Sequence, residues 1–537
     1  MSSRRALGHL AVLSLGLLLI PPLCSGGRVL VYPAEGSHWI NMKILIEEIH
    51  ARGHVVTVIR GNNSWFIAEE SPFYTTISVP DRNVYLEEWD TFLRDTLDSQ
   101  LLSSPMFPVS MGRALWSIWT WQRVFTKLLD NGHQLFSEIV ISILEDKDLM
   151  ERFKNFDLFL TDPAISPGVF LGRYLKLPLV FNARWASPSE AHSVIAPYPL
   201  SYIPITYTGF TDRMTFLQRV ENVLMRCHEL YKERFVIHPH YKAILDKYFE
   251  AGSDLTSFMQ EADIWLMRSD FVFEYPRPTM PNVVYMGGFQ CRPAQPLPSE
   301  LEEFVQSAGE HGVVIMSLGT LVDSLSKNLT DQIANVFANL PQKVIWKYSG
   351  ERPSTLGNNT LLVKWMPQKD LLGHPQTRAF VAHGGTNGVQ EAIYHGTPVV
   401  GIPLFFDQHD NLLRLQERGA AKILELPDLD GPNFHQTLKE VLHNPSYRHH
   451  MQRLSRLHRD APIKPMDSAI FWLEFVMRNK GAPHLRTQAY RMPWYSYYCV
   501  DVLLLLLAAG GLLLVSTAAL LRLLCCRGRR KTKTKLQ

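Results

Sequence analysis

Hydrophobic and polar positions change rhythm three times along the chain. Residues 6–20 are an apolar run broken only by small residues and His9, with Arg4 and Arg5 before it and Pro21, Pro22 and Cys24-Ser25-Gly26 after it. A positive start, a short apolar stretch and small residues ahead of Gly27 predict a secretory leader over 1–26. An uncleaved anchor is the competing reading, for which the run is short. From residue 29 the pattern becomes short apolar runs alternating with amphipathic stretches. Residues 29–32 read as a buried strand, 39–52 as an amphipathic helix stopped by Gly53, and 55–59 as the next strand, which is the βαβ unit of a parallel sheet. Strands are also predicted at 156–161 and 179–181, with a helix between them after Gly168. Residues 291–298 hold three prolines in eight positions and fit neither a helix nor a central strand. Beyond this stretch the rhythm restarts, with strands at 313–316, 343–347, 361–364, 379–382 and 398–402 and a helix at about 329–340. The expectation is an α/β protein of two domains, 27–290 and 299–501, joined by the linker 291–298 with a ligand cleft between them. No repeat at solenoid spacing is visible.

The third rhythm is residues 502–521, twenty positions without a charge. At about 1.5 Å per residue they span about 30 Å, the thickness of a bilayer core. Trp494, Tyr495, Tyr497 and Tyr498 precede them as an interfacial belt, and seven basic residues from Arg522 to Lys535 follow with no acid. The positive-inside rule then predicts a single-pass type I membrane protein, with the tail 522–537 cytosolic and everything from Gly27 to Asp501 lumenal. A buried core helix is the alternative, and the flanks disfavour it. Lys533 and Lys535 resemble a dilysine signal for return to the endoplasmic reticulum; a plain basic flank reads the same charges. Asn62, Asn328 and Asn358 head glycosylation sequons that a lumenal location would expose. Once the leader is removed, Cys227, Cys291 and Cys499 allow one disulfide without requiring it.

Composition removes several classes. The chain has 537 residues, 46% hydrophobic and 20% charged, so it can bury a sizeable core. Six cysteines over that length do not form a small disulfide scaffold. The formal net charge of +3 is a cancellation, because the leader and tail carry nine basic residues and no acid, leaving 45 basic against 51 acidic residues between them. A mildly acidic body argues against a nucleic-acid partner. Residues 89–131 are rich in Trp, Phe, Leu and Met. They read either as ordinary helix packing or as a border in which Phe92, Phe107, Trp116, Trp119 and Trp121 line an apolar cavity or rest on the membrane.

The segment 365–411 carries the most specific chemistry. It contains Trp365-Met-Pro-Gln368, Ala382-His383-Gly384-Gly385-Thr386-Asn387-Gly388, Glu391 and Phe406-Asp407-Gln408. His383 ends a strand. Two glycines then let backbone approach a ligand closely, and Thr386 and Asn387 open a helix whose free N–H groups make an anion site suited to a pyrophosphate. Glu391, four residues past Asn387, shares its helix face and can accept from ribose hydroxyls. Trp365 offers a flat face for a base, Gln368 an amide for its sugar or edge, and Asp407 with Gln408 an acceptor and an amide for a polyhydroxylated ring.

Together these residues resemble the signature of the UDP-glycosyltransferase family. The neighbouring Leu371-Leu-Gly-His-Pro, Glu391-Ala-Ile-Tyr-His-Gly and Val400-Gly-Ile-Pro are similar to the vertebrate UDP-glucuronosyltransferases. The run 196–202, Ala-Pro-Tyr-Pro-Leu-Ser-Tyr, resembles a fish group among them. The resemblance implies a GT-B fold of two facing Rossmann-like domains, with the acceptor in the first and the UDP-sugar mainly in the second. It implies metal-independent, inverting transfer with UDP-glucuronate as co-substrate and no cofactor. By the same resemblance, Trp365 stacks on uracil and Gln368 and Glu391 hold the ribose. Ser317, Thr320, His383, Gly385, Asn387 and Gly388 surround the pyrophosphate, and Asp407 and Gln408 bind sugar hydroxyls. His38, after the first strand, would be the general base with Asp162, after the strand 156–161, as its partner. A free imidazole titrates near 6.5 and can accept a proton there, and a carboxylate on its other nitrogen fixes the tautomer. Arg268 would face the glucuronate carboxylate; a structural salt bridge is its other reading. Two positions depart from the family pattern. Ala382 stands where a hydroxyl is common, which removes one expected phosphate contact, and Thr320 stands where Ser is common and keeps the hydroxyl. A lipophilic acceptor and association with copies or relatives are implied too. The competing functions are a UDP-glucosyl- or UDP-N-acetylglucosaminyltransferase on the same scaffold, or a catalytically silent membrane partner of active relatives.

Overall fold

The computed structural model describes residues 26–80, 111–184, 191–320, 322 and 325–533, and the side chains of these except 111–122 and 527–533. Nearly all of the leader, the aromatics Phe92, Phe107, Trp116, Trp119 and Trp121, and the lysines of the tail signal therefore lie outside the described side chains. Residues 26–485 form one unit and 486–533 another, taken separately below.

Within the first unit, thirteen described strands form two all-parallel sheets. The first contains β1 (Arg28–Tyr32), β2 (Val55–Gly61), β3 (Thr75–Val79), β4 (Leu158–Thr161), β5 (Leu179–Ala183), β6 (Ile264–Met267) and β7 (Val283–Tyr285), in the order β3-β2-β1-β4-β5-β6-β7. The second contains β8 (Val313–Ser317), β9 (Lys343–Lys347), β10 (Thr360–Val363), β11 (Thr377–Ala382), β12 (Val399–Gly401) and β13 (Ala421–Ile423), in the order β10-β9-β8-β11-β12-β13. Their central strands are apolar on both faces, as strands covered by helices on both sides must be.

Each sheet reverses strand order once, between β1 and β4 in the first and between β8 and β11 in the second. At such a switch point neighbouring crossovers run to opposite faces and leave a crevice at the strands' carboxyl ends. Register makes the crevices specific: Tyr32 pairs with Thr161, and Ser317 with Ala382. The loops after those four residues therefore leave their sheets side by side.

Helix α1 (Ser37–Ala51) opens after Gly36 at φ 68° and ends where Gly53 adopts φ 89°, a left-handed turn that favours glycine. Helix α2 (Met111–Glu145) is long enough to place Phe125 and Leu129 in the second sheet's core. Helix α3 (Ser166–Leu175) joins β4 to β5. Helix α4 (Phe216–Lys232) is inverted: Asn222, Glu229 and Lys232 are buried, while Phe216, Leu217 and Leu224 face outward. Helices α5 (Thr386–His395) and α6 (Gln408–Glu417) follow β11 and β12. Helix α7 (Pro465–Asn479) lies far along the sequence but packs Ala469, Ile470, Leu473 and Val476 into the first sheet's core, around Val29 and Leu158. Residues 291–298 carry neither helix nor strand. Asn62, Asn328 and Asn358 are all exposed, and Cys227, Cys291 and Cys499 are free thiols.

In the second unit, helix α8 (Val500–Lys533) has the length and apolar composition over Val500–Cys526 to cross a membrane. It extends past the twenty uncharged residues at both ends.

Candidate active site

The first switch point holds an imidazole and a carboxylate. His38 lies in the first turn of α1 and Asp162 is the residue after β4, 124 positions away in sequence. The paired register of β1 and β4 brings them together, with His38 Nδ1 2.7 Å from Asp162 Oδ2. The other carboxylate oxygen accepts from the Ala164 N–H at 3.0 Å, so the ring meets a fixed acceptor. Asp162 is fully buried, which pushes its carboxyl up, but His38 and Arg268 outweigh the burial and hold it below the usual carboxylate range. The ionised form is therefore the resident one, and it selects the tautomer with the proton on Nδ1. Nε2 is then the basic nitrogen on the cavity that His38 lines.

Arg268, just past β6, stands beside this pair and also lines the shared cavity. It is 4% exposed, its Nη2 is 3.2 Å from Asp162 Oδ2 and 3.1 Å from His38 Nδ1, and its Nη1 reaches Asn41 Oδ1 at 3.5 Å. Its contacts are those of a buried ion pair beside the base.

The second switch point is built for an anion. Gly384 takes φ 92°, which turns the chain out of β11 so that α5 begins at Thr386. A β-carbon on Gly319 would stand 2.7 Å from His383 Nε2, and one on Gly385 2.5 Å from it. Both positions must lack side chains for the ring to sit between the loops. Burial holds His383 down to about 4, so the ring is neutral at physiological pH, and its Nδ1 is buried without a hydrogen-bond partner. Such an atom is costly unless a ligand or water meets it. Ser317 ends the neighbouring strand β8, and its Oγ accepts from the Gly319 N–H at 3.3 Å. Thr320 lines the same wall. Ala382 pairs with Ser317 in register and offers no hydroxyl.

Around this anion site stand groups for a base, a ribose and a hexose. Trp365 leaves 66% of its surface in solvent, with the Lys347 ammonium 5.9 Å from the ring centroid. Gln368 Nε2 donates to Glu391 Oε2 at 2.7 Å, and burial pushes the Glu391 carboxyl up. Gly388, at the start of α5, leaves the Gln368 amide 3.5 Å from where a β-carbon would be. Phe406 is held at φ 55°, a conformation rare for an aromatic residue, in the turn that presents Asp407. Gln408 Oε1 accepts from the Leu404 and Phe405 N–H groups at 2.9 and 3.2 Å, which leaves its amide nitrogen to donate.

The two switch points face each other across one cavity of about 710 Å³. Every residue expected in the site lines it except Asp162, which stands behind His38. On the first-half side the wall is apolar, with Ile40, Phe125, Leu129, Phe136, Ile139 and Ile165 among its residues. Side chains also meet across the cleft: Asn41 Nδ2 donates to Asn387 Oδ1 at 3.1 Å, and Asn387 Nδ2 reaches Ser37 O at 3.4 Å. Sequence reasoning missed Asn41 and Arg184. The strand read at 179–181 stops short of β5, which runs on through Asn182 to Ala183, so the strand-end rule that singled out Asp162 points to Asn182 and not to Arg184.

A proton-accepting pair opposite an anion-binding helix terminus, each at the switch point of its own sheet, defines a GT-B glycosyltransferase. Solved structures share the fold. Glycosyltransferase VinC in complex with dTDP superposes with a TM-score of 0.56 at 19% identity, over 84% of this chain and all of that one. CalG4, the calicheamicin glycosyltransferase, gives 0.55 at 18% identity, over 84% and 99%. The sequence narrows the class: the chain belongs to the UDP-glucoronosyl and UDP-glucosyl transferase family, whose family model matches residues 27–535. Curated relatives include human UDP-glucuronosyltransferase 2A2, 39% identical over 495 residues and 90% of each chain. Rat UDP-glucuronosyltransferase 2B1 is 41% identical over 510 residues, covering 90% of this chain and 92% of the relative.

Proposed function

We propose that the protein transfers glucuronic acid from UDP-glucuronate to a hydroxyl of a small lipophilic acceptor, with inversion at the anomeric carbon. The observation that carries this reading is the His38–Asp162 pair, closed at 2.7 Å and opening on the same cavity as the nucleotide-sugar residues. Relatives named UDP-glucuronosyltransferases at 39–41% identity support glucuronate as the sugar.

In this mechanism His38 Nε2 takes the proton of the acceptor hydroxyl. The oxygen attacks C1 from the face opposite the diphosphate, the C1–oxygen bond to UDP breaks, and its electron pair leaves with UDP. Asp162 stabilises the imidazolium formed, and Arg268 keeps Asp162 ionised. The N-terminus of α5 and the partnerless nitrogen of His383 meet the charge that develops on the departing diphosphate. Trp365 carries uracil, Gln368 and Glu391 the ribose, Ser317, Thr320, Asn387 and Gly388 the phosphates, and Asp407 and Gln408 the sugar hydroxyls. The step needs neither a metal nor a cofactor. The apolar first-half wall supports a lipophilic acceptor. We place the enzyme in the endoplasmic reticulum membrane as a single-pass type I protein with a lumenal body, on the basic flank behind α8, and expect it to associate with copies or relatives.

Microsomes containing the full chain, given UDP-glucuronate, UDP-glucose or UDP-N-acetylglucosamine and a simple phenol, should form glucuronide fastest. Faster turnover with another donor would replace the sugar, and no turnover with any donor would make the chain a silent partner. Because Arg268 is bound to Asp162, Arg268→Leu should lower activity by a similar factor with every donor used. A loss confined to UDP-glucuronate would return Arg268 to the sugar carboxylate.

A further inference from the structure

We propose that Arg184 is a positioning residue through which the acceptor half orients the sugar-binding carboxylate of Asp407. Recognition of the donor's hexosyl group is then completed only when the two halves are closed. This deepens the reading above and rests on its placement of the sugar at Asp407.

Arg184 is the residue after β5, at the same sheet edge as Asp162, and is 3% exposed. Its Nη1 donates to Glu274 Oε1 at 2.7 Å, which anchors the guanidinium in its own half. Nε and Nη2 reach across the cleft. Nε donates to Thr386 Oγ1 at 3.0 Å, Nη2 donates to Asn411 Oδ1 at 3.0 Å, and Nε lies 3.5 Å from Asp407 Oδ2.

Those two acceptors are also the donors that hold Asp407. Thr386 Oγ1 donates to Asp407 Oδ2 at 3.0 Å, and Asn411 Nδ2 donates to the same oxygen at 2.9 Å. The polarity is forced. A guanidinium only donates, so the Thr386 hydroxyl must turn its proton to Asp407, and the Asn411 amide must turn its oxygen to Arg184 and its nitrogen to Asp407. Asn411 Nδ2 also donates to Gly384 O at 3.0 Å, which ties the same relay to the turn at the anion site. Both relays end on Oδ2 and leave Oδ1 to accept from a sugar hydroxyl. With the halves apart, Asn411 keeps Arg414 Nη1 at 3.4 Å on its Oδ1 and Gly384 O on its Nδ2, whereas Thr386 loses the donor that turns its hydroxyl to Asp407, so the Thr386 relay is the one that closure completes.

The test compares UDP-sugar with UDP, since only the former carries the hexosyl group. Binding of each is measured by displacement of radiolabelled UDP from membranes containing the full chain, so the readout does not depend on turnover. Arg184→Met removes all the donors. Arg184→Lys keeps the charge, but one ammonium does not span Thr386 and Asn411 together. Thr386→Val severs one relay while keeping every ion pair, and covers the case in which Arg184→Met fails to fold. The gain in affinity of UDP-glucuronate over UDP should fall about tenfold in Arg184→Met, with UDP affinity there within about twofold of wild type, should fall in Thr386→Val, and should not be rescued by Arg184→Lys. An unchanged gain in both Arg184→Met and Thr386→Val, or full rescue by lysine, overturns the proposal. A wild-type chain that binds UDP-glucuronate but forms no conjugate overturns the transfer reading instead and leaves this result standing.

Discussion

The two halves of the cleft share an architecture and differ in the kind of chemistry they hold. Each is a parallel sheet with one switch point, and each brings two loops side by side through a register pair. At the first, the groups are charged or poised to become so: His38, a buried Asp162 and a buried Arg268 within 3.2 Å of one another. At the second they are largely dipoles and amides, with a helix terminus, glycine backbone, an imidazole that burial keeps neutral, and Gln368. In the proposed reaction a proton moves on the first side, which would call for a base with a fixed counter-charge. The diphosphate proposed for the other side is anionic throughout, and fixed dipoles would hold it without reorganising.

The sharpest break of this contrast is at the base. His38→Ala should lower kcat by about 10²–10⁴ at unchanged UDP affinity, read from glucuronide formation alongside UDP displacement. Asp162→Asn should follow in the same direction, since an amide neither fixes the tautomer nor stabilises imidazolium. Retained turnover in His38→Ala would move the proton-accepting role elsewhere. On the second side the effects should fall on binding. Trp365→Ala removes the exposed platform and should weaken UDP by about 5- to 100-fold, the worth of one base–aromatic stack, with kcat at saturating donor little changed. A kcat loss at unchanged UDP affinity would dissolve the division between the halves.

The smallest effect is on stability. Burial holds His133, on the acceptor wall, down to about 3, against about 6.5 for a free imidazole. Its folded-state value is depressed, so its contribution is fully present above about 6.5 and is lost as pH falls toward 3, because the unfolded chain takes up a proton that the folded chain refuses. His133→Gln removes that uptake. The drop in Tm between pH 7 and pH 5 should therefore be a few degrees smaller in His133→Gln than in wild type, measured in the same detergent. An equal or larger drop would mean that His133 does not contribute.

Legibility in the sequence follows the same line. Most of the second half's site lies within 365–411, and its glycines, helix start and carboxylates could be read in order because the chain delivers them in order. The first half's pair is separated by 124 positions, and only the strand-end rule and the family resemblance connected them. Four strands went unread: β3, β6, β7 and β13, of three to five residues each. Runs this short carry little periodicity of their own, and pairing within the sheet decides them. Arg184 and Asn41 were invisible for another reason. Beside Glu274 and Arg268 in their own half, they meet Thr386, Asn411 and Asn387 on the opposite one, and sequence spacing contains no record of a contact made by closure.

Helix α7 has a mechanical consequence. The chain leaves the first half at 291–298, builds the second, and crosses back at 460–464 so that Ala469, Ile470 and Leu473 can enter the core around Val29. A body held by one strap can swivel freely, whereas a second strap removes part of that freedom. Any opening of the cleft must therefore move two connections together, at 291–298 and at 460–464, which narrows the directions in which the halves can part.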